Sequence, residues 1–183
     1  MEWMALALFA LALIWAIWTY NRLVKKRNRV KTAWSDIDVQ LTRRHDLVPN
    51  LVSIVQRYTE HERGTLESVT QLRTRAISIE SPARLGAIEN ELEGLLSRLL
   101  MLREDYPDLK ASDNFRQLAD QLVEVENHLQ YARRFYNGAV RDLNTLIGQF
   151  PDLLIAKLFQ FQQAEFYAAE SEHRTAPQVE IAR

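Results

Sequence analysis

From Trp3 to Tyr20 the chain runs for 18 residues without a charged side chain. At about 1.5 Å per residue, a helix of that length reaches about 27 Å, close to the roughly 30 Å hydrocarbon core of a bilayer. Such a run is a membrane span, a cleaved signal peptide or a buried core helix. A signal peptide carries positive charge ahead of its apolar stretch and small residues after it. Here only Met1 and Glu2 precede, the run ends in Trp18-Thr19-Tyr20-Asn21-Arg22, and six cations follow: Arg22, Lys25, Lys26, Arg27, Arg29 and Lys31. Residues 1–20 therefore read as a transmembrane anchor. Trp3 stands at one edge and Trp15, Trp18 and Tyr20 near the other, where amphipathic rings favour the headgroup level. Cations collected on one side place the rest of the chain in the cytoplasm and the N-terminus outside.

Residues 21–31 form a basic juxtamembrane collar suited to anionic headgroups, so membrane lipids are the first expected partner. The collar lacks the interleaved aromatics of single-strand binding, and no nucleic-acid partner is expected. The formal net charge of -1 conceals this asymmetry, because the collar carries +6, Glu2 carries -1 and the remaining body carries -6. An acidic body should be held off anionic headgroups. With only 5 glycines and 5 prolines among 183 residues, the body should be helical, and the absence of cysteine removes disulfides, thiolate metal sites and thiol nucleophiles.

Past the collar, Val30, Trp34, Ile37, Leu41, Val48, Leu51, Val55 and Tyr58 follow the three-and-four spacing of one helical face, with Arg44 or His45 in the slot between Leu41 and Val48. Pro49 opposes a helix, yet the apolar phase is the same on both sides of it. A kinked but continuous helix to about Ile79 is favoured over a tight turn. Ser81 and Pro82 suit an N-cap and first helical position, and Ile88, Leu92, Leu95, Leu99 and Leu102 form the next seam. Residues 104–114 read as a connecting loop ending in the capping candidates Ser112 and Asp113. The third helix carries Phe115, Leu118, Leu122, Val125, Leu129, Ala132, Tyr136, Ala139, Leu143, Ile147 and Phe150, and stops before Pro151.

Beside that seam lies a polar stripe, Glu126, Arg133, Asn137, Val140 and Asn144, that should be half-buried against a neighbour. Asp38, Arg43, Arg44, Asp46 and Glu62 on the first helix are its expected partners. The apolar segment after Pro151 caps the bundle, docks a partner or contacts membrane; capping is the favoured reading. Residues 171–183 read as a disordered tail. The fold class is all-α: an N-terminal transmembrane helix, then an antiparallel cytoplasmic bundle over residues 32–170 made of three long helices plus a short C-terminal one.

No catalytic signature is present. The glycines lack phosphate-loop or dinucleotide spacing, and His61-Glu62 fails as a zinc-peptidase motif because Thr65 stands where the second histidine belongs. Glu62, Glu126 and His61 meeting at a metal is much less favoured than an ion-pair network. Glu91 and Glu93 read as a solvated face. Catalytic residues, cofactors and metal are all expected to be none.

The stretch from Trp34-Ser35-Asp36-Ile37-Asp38 through Arg43-Arg44-His45-Asp46-Leu47-Val48-Pro49-Asn50, with Tyr58 and His61-Glu62, resembles the LemA family. So do Tyr106-Pro107-Asp108, Glu126-Asn127, Ala132-Arg133-Arg134-Phe135-Tyr136-Asn137, Asp142-Leu143-Asn144 and Phe150-Pro151. The resemblance implies a bacterial inner-membrane protein with a cytoplasmic helical bundle and no established enzymatic activity; one branch of the family serves in building magnetosome membranes. The residues that carry the resemblance are mostly those assigned above to pairing between helices. Asp46 and Asn50 flank Pro49 and are placed to fix a bend, and Arg44, Arg133 and Glu126 to form a buried pair or triad that specifies register. A switch or partner site is the alternative for this cluster. The leading functional expectation is a non-enzymatic membrane scaffold that forms a homo-oligomer. An adaptor for membrane-protein partners, such as a protease or signalling complex, is second, and a membrane-tethered enzyme third.

Overall fold

The computed structural model describes residues 1–59 and 61–167. Helix α1 runs from Glu2 to Tyr58, 57 residues without interruption, or about 85 Å of rod. The anchor, the collar and the first arm of the bundle are thus one helix. It passes through Pro49, as the unbroken apolar phase predicts. Pro49 removes the N–H that the His45 carbonyl would accept four residues earlier. Arg73 supplies the substitute, its Nε donating to that carbonyl at 2.8 Å. Asp46 and Asn50, expected to satisfy the site, are instead exposed and do not contribute side-chain hydrogen bonds there.

The helix does not continue to Ile79. It ends at Thr59, whose backbone turns extended while its hydroxyl donates back to the Val55 carbonyl at 3.0 Å. Helix α2 then covers Arg63–Ile77. Helix α3, Pro82–Met101, starts as predicted, with the Ser81 hydroxyl accepting from the Arg84 N–H and Pro82 in the first turn. The expected loop is more ordered than its composition suggests: a 3-10 turn at Leu102–Glu104 and a short helix α4, Pro107–Ala111, lead into α5, Asp113–Gly148, capped by Ser112. Among the described residues there is no strand.

Helices α1 and α5 lie antiparallel along most of their length. Lys26 meets Asp142 and Arg43 meets Glu124, so 17 residues up one helix match 18 down the other. Two apolar clusters result. The membrane-proximal one gathers Leu23, Val30, Ile37 and Leu41 with Leu85, Val125, Leu129, Tyr136 and Leu143. The distal one gathers Val48, Leu51 and Val55 with Leu92, Leu99, Phe115 and Leu122.

After Pro151 the expected short helix forms, but it covers only the first part of the apolar run from Leu153 to Tyr167. Helix α6 is only Asp152–Leu158, and residues 161–167 follow without regular structure. Between them Gln160 takes a φ of 55°, in the left-handed region that redirects the chain. Phe150, assigned to the α5 seam, is 75 % exposed. The tail expected to be disordered lies outside the described residues.

Candidate functional site

The apolar slot between Leu41 and Val48 on α1 holds both Arg44 and His45, and both are buried. On α3 the positions Leu85, Leu92, Leu96 and Leu99 face the core, and Glu89 occupies the slot among them with 0 % exposure. The two interruptions face each other. Arg44, 2 % exposed, donates from Nη1 to Glu89 Oε2 at 3.0 Å, and His45 Nε2–H donates to Glu89 Oε1 at 2.7 Å. Arg44 Nη2 turns to Glu126 on α5 and lies 4.0 Å from Glu93. Arg133 completes the group, 3.1 Å from Glu93 and 3.8 Å from Glu126.

Two guanidinium groups therefore face three carboxylates, with the His45 imidazole against the most buried of them. This charged layer separates the two apolar clusters, since Leu41 and Leu85 belong to one and Val48 and Leu92 to the other. Burial pulls the Arg44 guanidinium below its usual range, with the Glu89 carboxylate opposing that effect. An arginine in this position stays charged.

The triad of Arg44, Glu126 and Arg133 is assembled as the sequence suggests. Glu89 and Glu93 were missed, and Glu93 is drawn into the network rather than solvated; only Glu91 is exposed. Glu89 belongs to the face through Leu85, Leu92 and Leu96, not to the seam read through Ile88, Leu92 and Leu95. Other expected partners lie elsewhere. Asp38 and Asp46 are exposed, Arg43 pairs with Glu124 on the surface, and Glu62 accepts from the Thr65 hydroxyl while His61 is exposed. Among the described residues no cluster of His, Asp and Glu is arranged to hold a metal ion.

Asn137 and Asn144 do not pair with α1 at all. Each grips the backbone of residues 161–167 with two hydrogen bonds. Asn144 Oδ1 accepts from the Ala164 N–H at 2.9 Å and its Nδ2 donates to the Ala164 carbonyl at 2.9 Å. Asn137 treats Tyr167 in the same way, at 2.9 and 3.2 Å. Seven helical residues rise about 10.5 Å, and three extended residues cover about 10 Å, so two asparagines two turns apart match an extended strap antiparallel to α5. Tyr136 adds a third hold, its hydroxyl donating to the Glu165 carbonyl at 2.9 Å. Burial raises the pKa of Tyr136, and of Tyr167 likewise.

The strap ends at the charged layer. The buried Tyr167 ring lies beneath the Arg133 guanidinium at 5.2 Å and beside Trp34 at 6.4 Å. At its other end, Phe161 packs against Tyr20 at 5.9 Å and under Arg27 at 5.1 Å.

The collar is only partly free for lipid. Lys26 is bound to Asp142 at 2.8 Å and Arg22 lies 3.5 Å from Asp152, while Arg27 and Arg29 stack on Phe161 and Phe135. Lys26 is half-buried, and the other five cations remain exposed, Lys25 and Lys31 without an acid or ring against them among the described residues. The neighbouring α5 and α6 segments offer acids and a ring at the same level. Trp3, Trp18 and Tyr20 are exposed, as anchor aromatics should be, whereas Trp15 is half-buried against the proximal cluster.

The LemA family model matches residues 33–181. Protein LemA of Metamycoplasma hominis is 28% identical over 157 residues, covering 83% of this chain and 70% of that protein. Magnetosome protein MamQ 2 of Paramagnetospirillum magneticum is 23% identical over 174 residues, covering 81% of this chain and 64% of its own length. Magnetosome protein MamQ of Magnetospirillum gryphiswaldense is 21% identical over 192 residues, covering 88% and 71%.

Proposed function

The chain belongs to the LemA family, and from that premise we propose that it is a non-enzymatic single-pass protein of the bacterial inner membrane, N-terminus outside, whose cytoplasmic bundle self-associates into a scaffold. The observation that carries this reading is the continuity of α1 from the span into the bundle. A body on a stiff stalk, in a plane shared with its copies, has already lost much of the orientational freedom that association otherwise costs. The outer seam of α1 and α5 supplies a surface for such contact, where Val39, Tyr131 and Phe135 are exposed side by side around one shallow groove. The names of the relatives agree with a role other than catalysis, and two of them are magnetosome proteins.

Sizing the detergent-solubilised full-length protein and imaging its particles tests the proposal. Large regular assemblies are expected; an isolated monomer would overturn the scaffold. A monomer that retains another protein would favour the adaptor reading. A specific feature supports that alternative: a groove of about 1000 Å³ between the end of α1 and α2, lined by Val52, Gln56, Leu66 and Arg75 among others.

A further inference from the structure

Helix α6 packs on α1 at an informative level. Its first residue, Asp152, is buried, accepts a hydrogen bond from the Thr19 hydroxyl at 3.1 Å and pairs with Arg22. Just past its other end, the Phe159 ring sits 4.8 Å from Tyr20. Both ends of a helix about 10 Å long thus meet α1 within the same turn, so α6 crosses α1 instead of running along it. If α1 stands across a bilayer, α6 lies close to the plane of the membrane.

The body also reaches higher than residues 1–20 would allow a free span. Trp15 and Ala16 are packed against the cluster that contains Leu23, Ile155 and Ala156. The part of α1 clear of the body, Glu2 to Ile14, rises only about 20 Å, roughly 10 Å short of a hydrocarbon core. The level of Trp15 to Tyr20 must then lie in or at the edge of the bilayer, and α6 sits at that level. Its inner face, Asp152, Ile155 and Ala156, is buried, whereas Leu154 and Leu158, one turn apart, are 54 % and 71 % exposed. Phe150 and Phe159 extend the apolar surface at either end. Lys157 lies exposed beside it, and Lys25 is exposed on the neighbouring collar.

We propose that α6 is an interfacial helix: Leu154, Leu158, Phe150 and Phe159 enter the headgroup and acyl boundary of the phospholipid leaflet, with Lys157 and Lys25 at the phosphates. An apolar face of this kind, rimmed by cations and level with a span, fits a bilayer surface. The charge argument that holds an acidic body off the membrane applies to the distal bundle, not to this end. The proposal depends on residues 1–20 crossing the bilayer and not on self-association.

The chain has no cysteine, so single fluorophores can be placed at Leu158→Cys and, as an independent second position, Leu154→Cys, in the full-length protein reconstituted into phosphatidylglycerol-containing vesicles. Phe9→Cys reports the span. Arg98→Cys reports the distal bundle, which packs on α1 roughly 40 Å from Tyr20. Expected is strong quenching at 154 and 158 by lipids with a shallow nitroxide, little quenching by aqueous iodide, and the opposite pattern at 98. Iodide quenching at 154 and 158 equal to that at 98 overturns the proposal, and so does shielding from both quenchers, which would put a protein surface over the patch. Failure of Phe9→Cys to respond to deep nitroxide lipids would remove the span and the interfacial helix together, whereas a normal Phe9→Cys with iodide-quenched 154 and 158 removes α6 alone.

Discussion

Arg44→Met removes the guanidinium that holds Glu89, and its cost can be set from the geometry. Glu89 has no solvent exposure and lies 3.0 Å from Arg44 Nη1. Glu93 and Glu126 keep Arg133 after the change, at 3.1 and 3.8 Å. Glu89 keeps only His45 among the described residues. The loss therefore concentrates on one buried carboxylate. A charge pair at about 4 Å and an effective dielectric of about 20 interacts with about 4 kcal/mol, and breaking a buried pair from one side typically costs about 3–5 kcal/mol. With the imidazole retained, about 3–4 kcal/mol is expected, or about 6–16 °C in melting temperature for a chain of this length.

The companion variant Arg44→Met with Glu89→Leu removes both charges and keeps apolar volume in the slot. Replacement of a buried pair by packed apolar side chains is often neutral or stabilising, so the double variant should regain most of the loss. The assay is thermal unfolding of the full-length protein in detergent, followed by helical circular dichroism. A single variant melting within about 2 °C of the parent, a shift worth at most about 1 kcal/mol, would refute the reasoning. So would a double variant that falls as far as the single one.

Arg133→Ala should cost a few kcal/mol on the same scale, because it removes at once the guanidinium hydrogen-bonded to Glu93 and stacked on the Tyr167 ring, leaving Glu93 only the more distant Arg44. Tyr167→Phe should leave the melting temperature unchanged or raise it slightly, since the buried hydroxyl has no well-formed hydrogen bond among the described residues. Asn144→Ala should free residues 161–167 at a cost of about 1–3 kcal/mol for two hydrogen bonds, read as faster amide hydrogen exchange at Ala164 with α5 unaffected. The Lys26 ammonium holds the Asp142 carboxyl below its ordinary value of 3.8. Its contribution is therefore present above that value and lost as pH falls through the lower folded one. With Asp142 40 % exposed, Asp142→Asn should cost under about 1 kcal/mol at neutral pH and flatten the acid limb of the melting curve below about pH 4.

Periodicity located the long helices because their apolar faces bury over many turns, and Ser81-Pro82 and Ser112 marked starts whose capping bonds are local. What periodicity could not supply was any boundary set by tertiary contact. Thr59 ends α1 with neither glycine nor proline, by folding its own hydroxyl onto Val55. Residues 161–167 are apolar enough to read as helix, yet they are extended, because Asn137, Asn144 and Tyr136 on α5 satisfy the backbone groups that a helix would satisfy internally. The polar stripe on α5 was legible as half-buried. Its partner was not, since a side chain that binds backbone leaves no mark in the partner's sequence. Arg44 or His45 in an apolar slot was legible on α1, but Glu89 was not legible on α3, because a seam read through Ile88, Leu92 and Leu95 has no place for it, whereas the buried face runs through Leu85, Glu89, Leu92 and Leu96.

The strap joins the two most unusual features of the molecule. Phe161 packs against Tyr20 and Arg27 at the edge of the span, and Tyr167 packs against Arg133 and Trp34 over the charged layer. Arg44 lies roughly 36 Å along α1 from Tyr20, and Trp34, against which Tyr167 packs, lies only ten residues short of it. The strap contributes no helix–helix packing, and its backbone is gripped by two asparagines that would accept almost any side chain at those positions. The strap runs over part of the proximal cluster, from Tyr20 to Trp34, with few residues and places one aromatic ring at each end. One strap residue, Phe161, thus packs against Tyr20 at the end of the apolar run, and another, Tyr167, lies under Arg133 at the charged layer.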